Sequence, residues 1–306
     1  MPVRVPVSLP AVESLRNENI FVIDEQRASS QDIRPLKIAV LNLMPLKIMT
    51  ETDLLRLLSN TPLQIELDLI EPDGHVCKNT PREHIETFYK KFDDIKNCNY
   101  DGFIVTGAPV EKVDFEDVDY WGQLCEIFAW AKTHVTSTLY ICWAAFAGLY
   151  FRYGIPKYVL DKKISGVFKH KVNDVTNPIF RGFDDVFYVP HSRFSELHRE
   201  DIEKHSDELS IIAESEESGI YMVMGRNGRE FYITGHSEYS PMTLDFEYRR
   251  DLEKGVNPHI PNNYYEDDDP TKKPIVRWRS HANLLFTNWL NYFVYQETPY
   301  DIRNIK

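Results

Sequence analysis

From about residue 36 the apolar positions of this chain fall into alternating strand-like and helix-like patterns. "KIAVLNLMP" (37–45) predicts a buried strand, and "TETDLLRLLSN" (50–60) predicts a helix opened by Thr50, with Asp53 as its capping-box partner. "LQIELDLIE" (63–71) alternates as a half-buried strand should, and "YDGFIVTGAPV" (100–110) predicts a strand ending in a Gly-Ala-Pro turn. A helix over "DYWGQLCEIFAWAKTHV" (119–135), a strand over "STLYICW" and a helix over "AAFAGLYFRYG" complete the series. After residue 163 the pattern changes to shorter strands: "KISGVFKHKV", "DVFYVPHSRF", "LSIIAES", "GIYMVMG" and "REFYITGHSE". "GRNG" (225–228) is a hairpin turn signal between the last two. "TLDFEYRRDLEKG" then reads as a helix, and "VRWRSHANLLFTNWLNYFVYQ" as a final amphipathic one carrying Trp278, Leu285, Trp289 and Phe293.

Strands alternating with helices predict a mostly parallel, doubly wound sheet covered on both faces, where ligands bind beyond the carboxyl ends of the strands. With no repeat or low-complexity linker, the expected organisation is an extension over 1–35 and one α/β domain over 36–306 that includes a helical C-terminal extension.

Composition narrows the function. The chain has 306 residues, is 42% hydrophobic and carries a formal net charge of −12. Such a charge, without a basic patch to offset it, argues against nucleic acid. No segment offers the roughly 18 consecutive apolar residues of a membrane span. Pro2, Pro6 and Pro10 interrupt the N-terminus, which lacks a signal-peptide apolar run. Cys77, Cys98, Cys125 and Cys142 show no close pairing, so reduced thiols and a cytoplasmic location are expected. The acidic run 266–269 has neither the spacing nor the glycine of a calcium loop, and reads as solvated. The seven-residue recurrence of His191, His198 and His205 spans a strand-like and a helical stretch, so it reads as chance rather than a metal stripe.

Three strand ends carry candidate chemistry. Cys142 stands where a β-like run gives way to Ala144, Ala145, Ala147 and Gly148. Small residues suit a tight strand-to-helix turn, and a helix N-terminus favours a thiolate. The residues alone leave open whether Cys142 is a nucleophile or core packing. In "ITGHSEY", His236 and Glu238 lie two apart, so in an extended chain they face the same way, as a base and its orienting carboxylate would. Two exposed polar residues in a turn would look the same. The Gly107 turn in "FIVTGAPVEK" presents backbone N–H groups that can hold an oxyanion.

Those stretches, with "LNLMPLKIMTETDLLRLLSNTPLQIEL", "DGFIVTGAPVEKVDFEDVDYW", "CWAAFAGLYFRYGIPKY", "KISGVF", "VPHSRF", "GHSEY", "EYRRD" and "RWRSHANLLFTNWLNYFVYQETPYDI", cover essentially the whole chain in order. The chain thereby resembles the homoserine O-acyltransferases of methionine biosynthesis, in the branch usually called homoserine O-succinyltransferase. The resemblance implies a flavodoxin-like, class I glutamine-amidotransferase-like fold and a homodimer. It implies that Cys142 is the acyl-accepting nucleophile, His236 the proton acceptor and Glu238 its support, with substrate contacts from Lys163, Ser192 and Arg250. An arginine can fork onto the homoserine carboxylate, which makes Arg250 the expected contact there. Ala144 and Phe146 depart from the glycine and glutamine usual in this family's elbow, and Phe146 removes an amide.

Members that use succinyl-CoA resemble one another in having glycine after "GAPV", where this chain has Glu111. A glutamate there opposes the carboxylate of a succinyl group by several kcal/mol, on the order of Coulomb's law at a few ångströms. Acetyl-CoA is therefore the expected donor and L-homoserine the acceptor, with succinyl-CoA the alternative if Glu111 points to solvent. The expected reaction has two steps. Cys142 takes the acetyl group, with the oxyanion on backbone N–H groups near Trp143 and Gly107, and the homoserine hydroxyl then takes it under His236. Neither a metal nor a bound cofactor is expected. The rivals are a glutamine-amidotransferase-like hydrolase, which would release ammonia from glutamine, and a non-catalytic binding protein of the same fold.

Overall fold

The structure, a computed structural model, describes residues 3–4, 6, 8–17, 34–73, 79–299 and 301–305. Cys77, Pro2 and residues 18–33 of the proposed extension lie outside them. The described residues form one sheet of eleven strands. These are β1 (Val3–Arg4), β2 (Leu36–Leu41), β3 (Ile65–Ile70), β4 (Tyr89–Lys90), β5 (Tyr100–Val105), β6 (Val135–Ile141), β7 (Tyr158–Val172), β8 (Val186–Glu196), β9 (Leu209–Ser215), β10 (Gly219–Gly225) and β11 (Glu230–Ile233). Their order is β1-β3-β2-β5-β6-β11-β10-β9-β7-β8, with β4 on β3. Pairing is parallel from β1 through β11 and antiparallel beyond it.

Side-chain alternation explains why helices cover both faces. Ile38, Val40, Ile104, Leu139 and Ile141 pack with Leu54, Leu55, Leu285 and Trp289 on one face. Ala39, Leu41, Phe103, Val105 and Tyr140 pack with Ile127, Phe128, Phe146 and Leu149 on the other. Each of these large side chains, fully buried, contributes about 1.5–3 kcal/mol. Gly102 admits the last helix: a Cβ there would stand 2.8 Å from Trp289, whose indole N–H donates to Ser137 Oγ at 3.0 Å.

Several elements differ from the sequence expectation. The helix expected from Thr50 spans Lys47–Leu58, with no side-chain cap from its N-cap residue, Leu46. Its first turn is held from outside, where the Lys47 amide donates to Thr80 Oγ1 at 3.4 Å. Thr50 lies inside the helix, its hydroxyl donating to the Leu46 carbonyl at 3.4 Å, and Asp53 pairs with Arg56 instead of forming a capping box. The strands after residue 163 are not uniformly short, since β7 has 15 residues and β8 has 11. Their register jumps from Val159↔Ser195 to Ile164↔Arg193, so residues 160–163 face Phe194 alone. Such a bulge breaks the alternation that marks a strand and re-aims the side chain at its end, Lys163. The final helix, Arg279–Asn288, continues as a π-helix over Trp289–Tyr295, with Trp278 at its N-cap.

Candidate active site

The parallel half of the sheet sets the first part of the site. β5, β6 and β11 are neighbours, and their carboxyl ends carry Gly107, Cys142 and His236. Cys142 adopts φ 52°, ψ −118°, a strained conformation for a residue with a side chain. Its amide donates to the Ile233 carbonyl at 2.7 Å, and its own carbonyl accepts from Ala145 N–H at 2.9 Å. A strand neighbour and the first helical turn thus impose the bend. Trp143 follows as the first residue of the helix Trp143–Tyr153, where a backbone N–H has no intrahelical acceptor. Gly107 approaches closely: a Cβ there would stand 3.2 Å from Cys142 Cβ and 3.7 Å from its Sγ. Ala144 and Phe146 are fully buried in the apolar cluster, so the aromatic ring occupies core volume rather than the thiol's surroundings.

His236 and Glu238 meet, although not by strand alternation. β11 ends at Ile233, and a turn brings His236 Nδ1–H to donate to Glu238 Oε1 at 2.6 Å. The His236 amide donates to the Pro190 carbonyl at 2.8 Å, and its ring stacks on Tyr239 at 4.0 Å. Burial by itself disfavours the imidazolium, but the charges and hydrogen bonds of Cys142 and Glu238 outweigh it and hold the His236 pKa well above the usual range. Since Nδ1 is committed to Glu238, Nε2 is the nitrogen left for the thiol. The arrangement can support a thiolate–imidazolium pair.

The antiparallel half and the helix Thr243–Glu253 bring Lys163 and Ser192 onto Glu247, a residue that sequence reasoning did not single out. Lys163 Nζ donates to Glu247 Oε2 at 3.1 Å, Tyr239 Oη donates to Oε1 at 2.9 Å, and Ser192 Oγ donates to Oε2. Burial would raise the Glu247 carboxyl, but Lys163, Ser192 and His236 together hold it below its usual range. Arg250 lies one turn on, half-exposed, and bonds Asp251 at 2.8 Å; Asp251 is 3.9 Å from Lys163. Arg250 therefore stands at the rim rather than in the cluster. The signal for Glu247 was its place in "EYRRD", three residues before Arg250 and so on the same helical face.

Glu111 is half-buried and turned inward, with Oε1 accepting from Phe194 N–H at 3.1 Å. Burial raises its pKa against that bond and the charges of Lys163, His236 and Arg193. Solvent exposure, the alternative noted above, is not what the chain adopts.

Behind the triad, buried Asp53 accepts from Arg56 at 2.8 Å and lies near Glu238 and Ser240. Burial pushes its carboxyl up to about 7 from 3.8, despite Arg56. A carboxyl with a raised folded-state pKa is fully tolerated below the unfolded-state value and costs stability as pH rises through about 4 to 7. Its penalty at pH 8 is on the order of 4 kcal/mol, with the Arg56 interaction already included. Asp53→Asn, an analogue of the neutral acid, is therefore expected to be more stable than the parent at pH 8 and equal to it at pH 4. Urea melts at the two pH values check this, and an unchanged difference would contradict it.

Among the described residues no group of three or more His, Cys, Asp or Glu side chains could hold a metal ion, and no helix is long and apolar enough to cross a membrane. Cys98 and Cys125 are free thiols outside the site.

A glutamine amidotransferase from Thermotoga maritima superposes with a TM-score of 0.54 at 14% identity, over 84% of this chain and 98% of its own, which shows the shared fold. Proteins named homoserine O-acetyltransferase are 65% identical in Bacteroides fragilis and 56% in Acetivibrio thermocellus, each over 100% of both chains. The family model described as homoserine O-succinyltransferase matches residues 2–300. The chain belongs to the homoserine O-succinyltransferase family.

Proposed function

We propose that the protein is a homoserine O-acetyltransferase working through an acetyl-cysteine. The reading rests on Cys142, His236 and Glu238 meeting at adjacent strand ends with Glu111 folded in beside them. The full-length relatives named for that activity support it. In the first step the Cys142 thiolate attacks the acetyl-CoA carbonyl, the C–S bond to CoA breaks, and the CoA thiolate leaves with a proton from His236. Backbone N–H groups at Trp143 and the Gly107 turn hold the oxyanion. In the second step His236 takes the homoserine hydroxyl proton, the alkoxide attacks the thioester, and the Cys142 thiolate leaves to restore the enzyme.

Homoserine brings an ammonium, a carboxylate and the reacting hydroxyl. Glu247, held ionised beside His236, suits the ammonium, and Arg250 at the rim suits the carboxylate. Lys163 and Ser192 orient Glu247 for that contact. Every electron moves between sulfur, oxygen and carbonyl carbon, so the scheme draws on neither a metal nor a bound cofactor. A homodimer in the cytoplasm belongs to the same reading, and light scattering and cell fractionation check it.

The test is to mix the protein separately with acetyl-CoA and succinyl-CoA, digest it, and weigh the peptide that holds Cys142. An acetyl adduct that homoserine discharges is expected. A succinyl adduct alone would overturn the choice of donor, and ammonia released from glutamine would favour a hydrolase.

A further inference from the structure

Against the segment that bears His236 lies a row of buried groups that the mechanism above does not use. Alternation along β8 sends His191 and Arg193 to the side opposite Ser192, and both are at most 1% exposed. The Arg193 guanidinium meets three neutral acceptors. Nε donates to His191 Nδ1 at 3.3 Å, and its two terminal nitrogens donate to the carbonyls of Ser195 and Ser218. Among the described residues no carboxylate pairs with it. Burial pulls its pKa down to about 10, which leaves it charged at neutral pH, and the opposing charges are those of Cys142, Glu111 and Glu196. A buried cation held only by neutral groups is costly unless another charge makes use of it.

The protons in this row can be assigned one by one. His170 Nδ1 lies 2.9 Å from the Phe168 carbonyl, which only accepts, so Nδ1 carries a proton. Burial keeps His170 neutral, with its pKa down to about 3, and leaves Nε2 bare. His191 Nε2 faces that atom at 3.1 Å and must be the donor, with the Ser218 hydroxyl also near at 3.3 Å. Burial and the charges of Arg193 and His236 keep His191 neutral as well, so its Nδ1 is bare and accepts from Arg193. The row also touches the segment that bears the base. A Cβ on Gly235 would stand 2.8 Å from His191 Nε2, and Pro190, next to His191, accepts the His236 amide.

We propose that His191 and His170 are positioning residues that fix the Arg193 guanidinium beneath the site, where its permanent charge stabilises the Cys142 thiolate. This rests on Cys142 being the acylated thiol. The charged and titratable groups acting on that thiol are His236, Tyr239 and Arg193, with Glu238 behind His236, and those facing Arg193 are Glu111, Glu196 and the two histidines.

The test is alkylation of Cys142 by iodoacetamide as a function of pH, read on the Cys142 peptide so that exposed Cys98 does not contribute. His191→Leu removes the Nε acceptor that fixes the guanidinium, and displacing that cation from the thiolate is expected to move the alkylation profile to higher pH. The rate at neutral pH then falls ~10-fold. His191→Asn, whose amide oxygen replaces Nδ1, should recover most of the loss, and Arg193→Gln should match or exceed the leucine variant. A merely structural role would lower the melting temperature and leave the alkylation profile in place. A folded His191→Leu with the parent's profile overturns the proposal, and where the leucine variant does not fold, an unchanged profile in Arg193→Gln does so. If the parent is acylated on Cys142 while the variants' profiles are unchanged, only this inference fails. If the parent is not acylated there, the proposed function fails.

Discussion

Cys142→Ala is expected to lose acetyl transfer by on the order of 10⁴-fold or more, the scale seen when a covalent nucleophile is removed. Under the proposed scheme no other group can hold the acetyl group between donor and acceptor. His236, Glu238 and the backbone donors remain, but they act on a thiol that is no longer there. CoA release with and without homoserine measures the loss, and activity within tenfold of the parent would mean direct transfer between the two substrates. The same position carries a stability signature. Alanine keeps the strain of φ 52°, ψ −118°, about 1–3 kcal/mol, whereas glycine relieves it. Cys142→Gly is therefore expected to melt above Cys142→Ala, the reverse of the usual order for the two residues. If alanine melts higher, the elbow is not strained.

Glu111→Gly is expected to move the preference between succinyl-CoA and acetyl-CoA toward succinyl by on the order of 10³-fold, most of it through kcat/KM for succinyl-CoA. At about 4 Å and an effective dielectric near 20, two like charges oppose each other by about 4 kcal/mol. The carboxylate of Glu111 is anchored to Phe194 N–H rather than free to swing away. Because burial raises the Glu111 pKa, the carboxylate starts to neutralise above the usual glutamate range as pH falls. The parent should therefore accept succinyl-CoA better on acidification, and the glycine variant should lose that pH dependence. Competition between the two donors across pH measures both effects. A glycine variant with the parent's preference would remove Glu111 from the choice.

The parallel half of the fold was legible because it depends on local signals. Apolar runs mark β2, β5 and β6, and the small residues after Cys142 mark the elbow. The site's second half was harder to read. The four-residue bulge that aims Lys163 interrupts the strand period, and the Lys47 helix is held at its start by Thr80, 33 residues away. Glu247 and Arg193 stood inside motifs already noticed, but nothing in the residue pattern marked an acid on a charged helix or a basic residue in a strand as part of the site. Their roles come from burial, which depends on which elements stack above them. His236 and Glu238 were paired correctly for a wrong local reason, since a turn rather than an extended strand joins them.

The hydrogen bond from the Cys142 amide to the Ile233 carbonyl also has a mechanical side. It ties the nucleophile to the strand that leads into His236, so the two reacting groups ride on one rigid plate. Lys163 and Ser192 ride on β7 and β8, at the far edge of the sheet. The Pro190 carbonyl of β8 accepts the His236 amide, so a flexing of that edge would move the imidazole together with the acceptor. Loading the acetyl group and seating the alcohol that receives it are then mechanically coupled, and an engineer who rebuilds the acceptor edge must keep the Pro190 contact to hold the base in place.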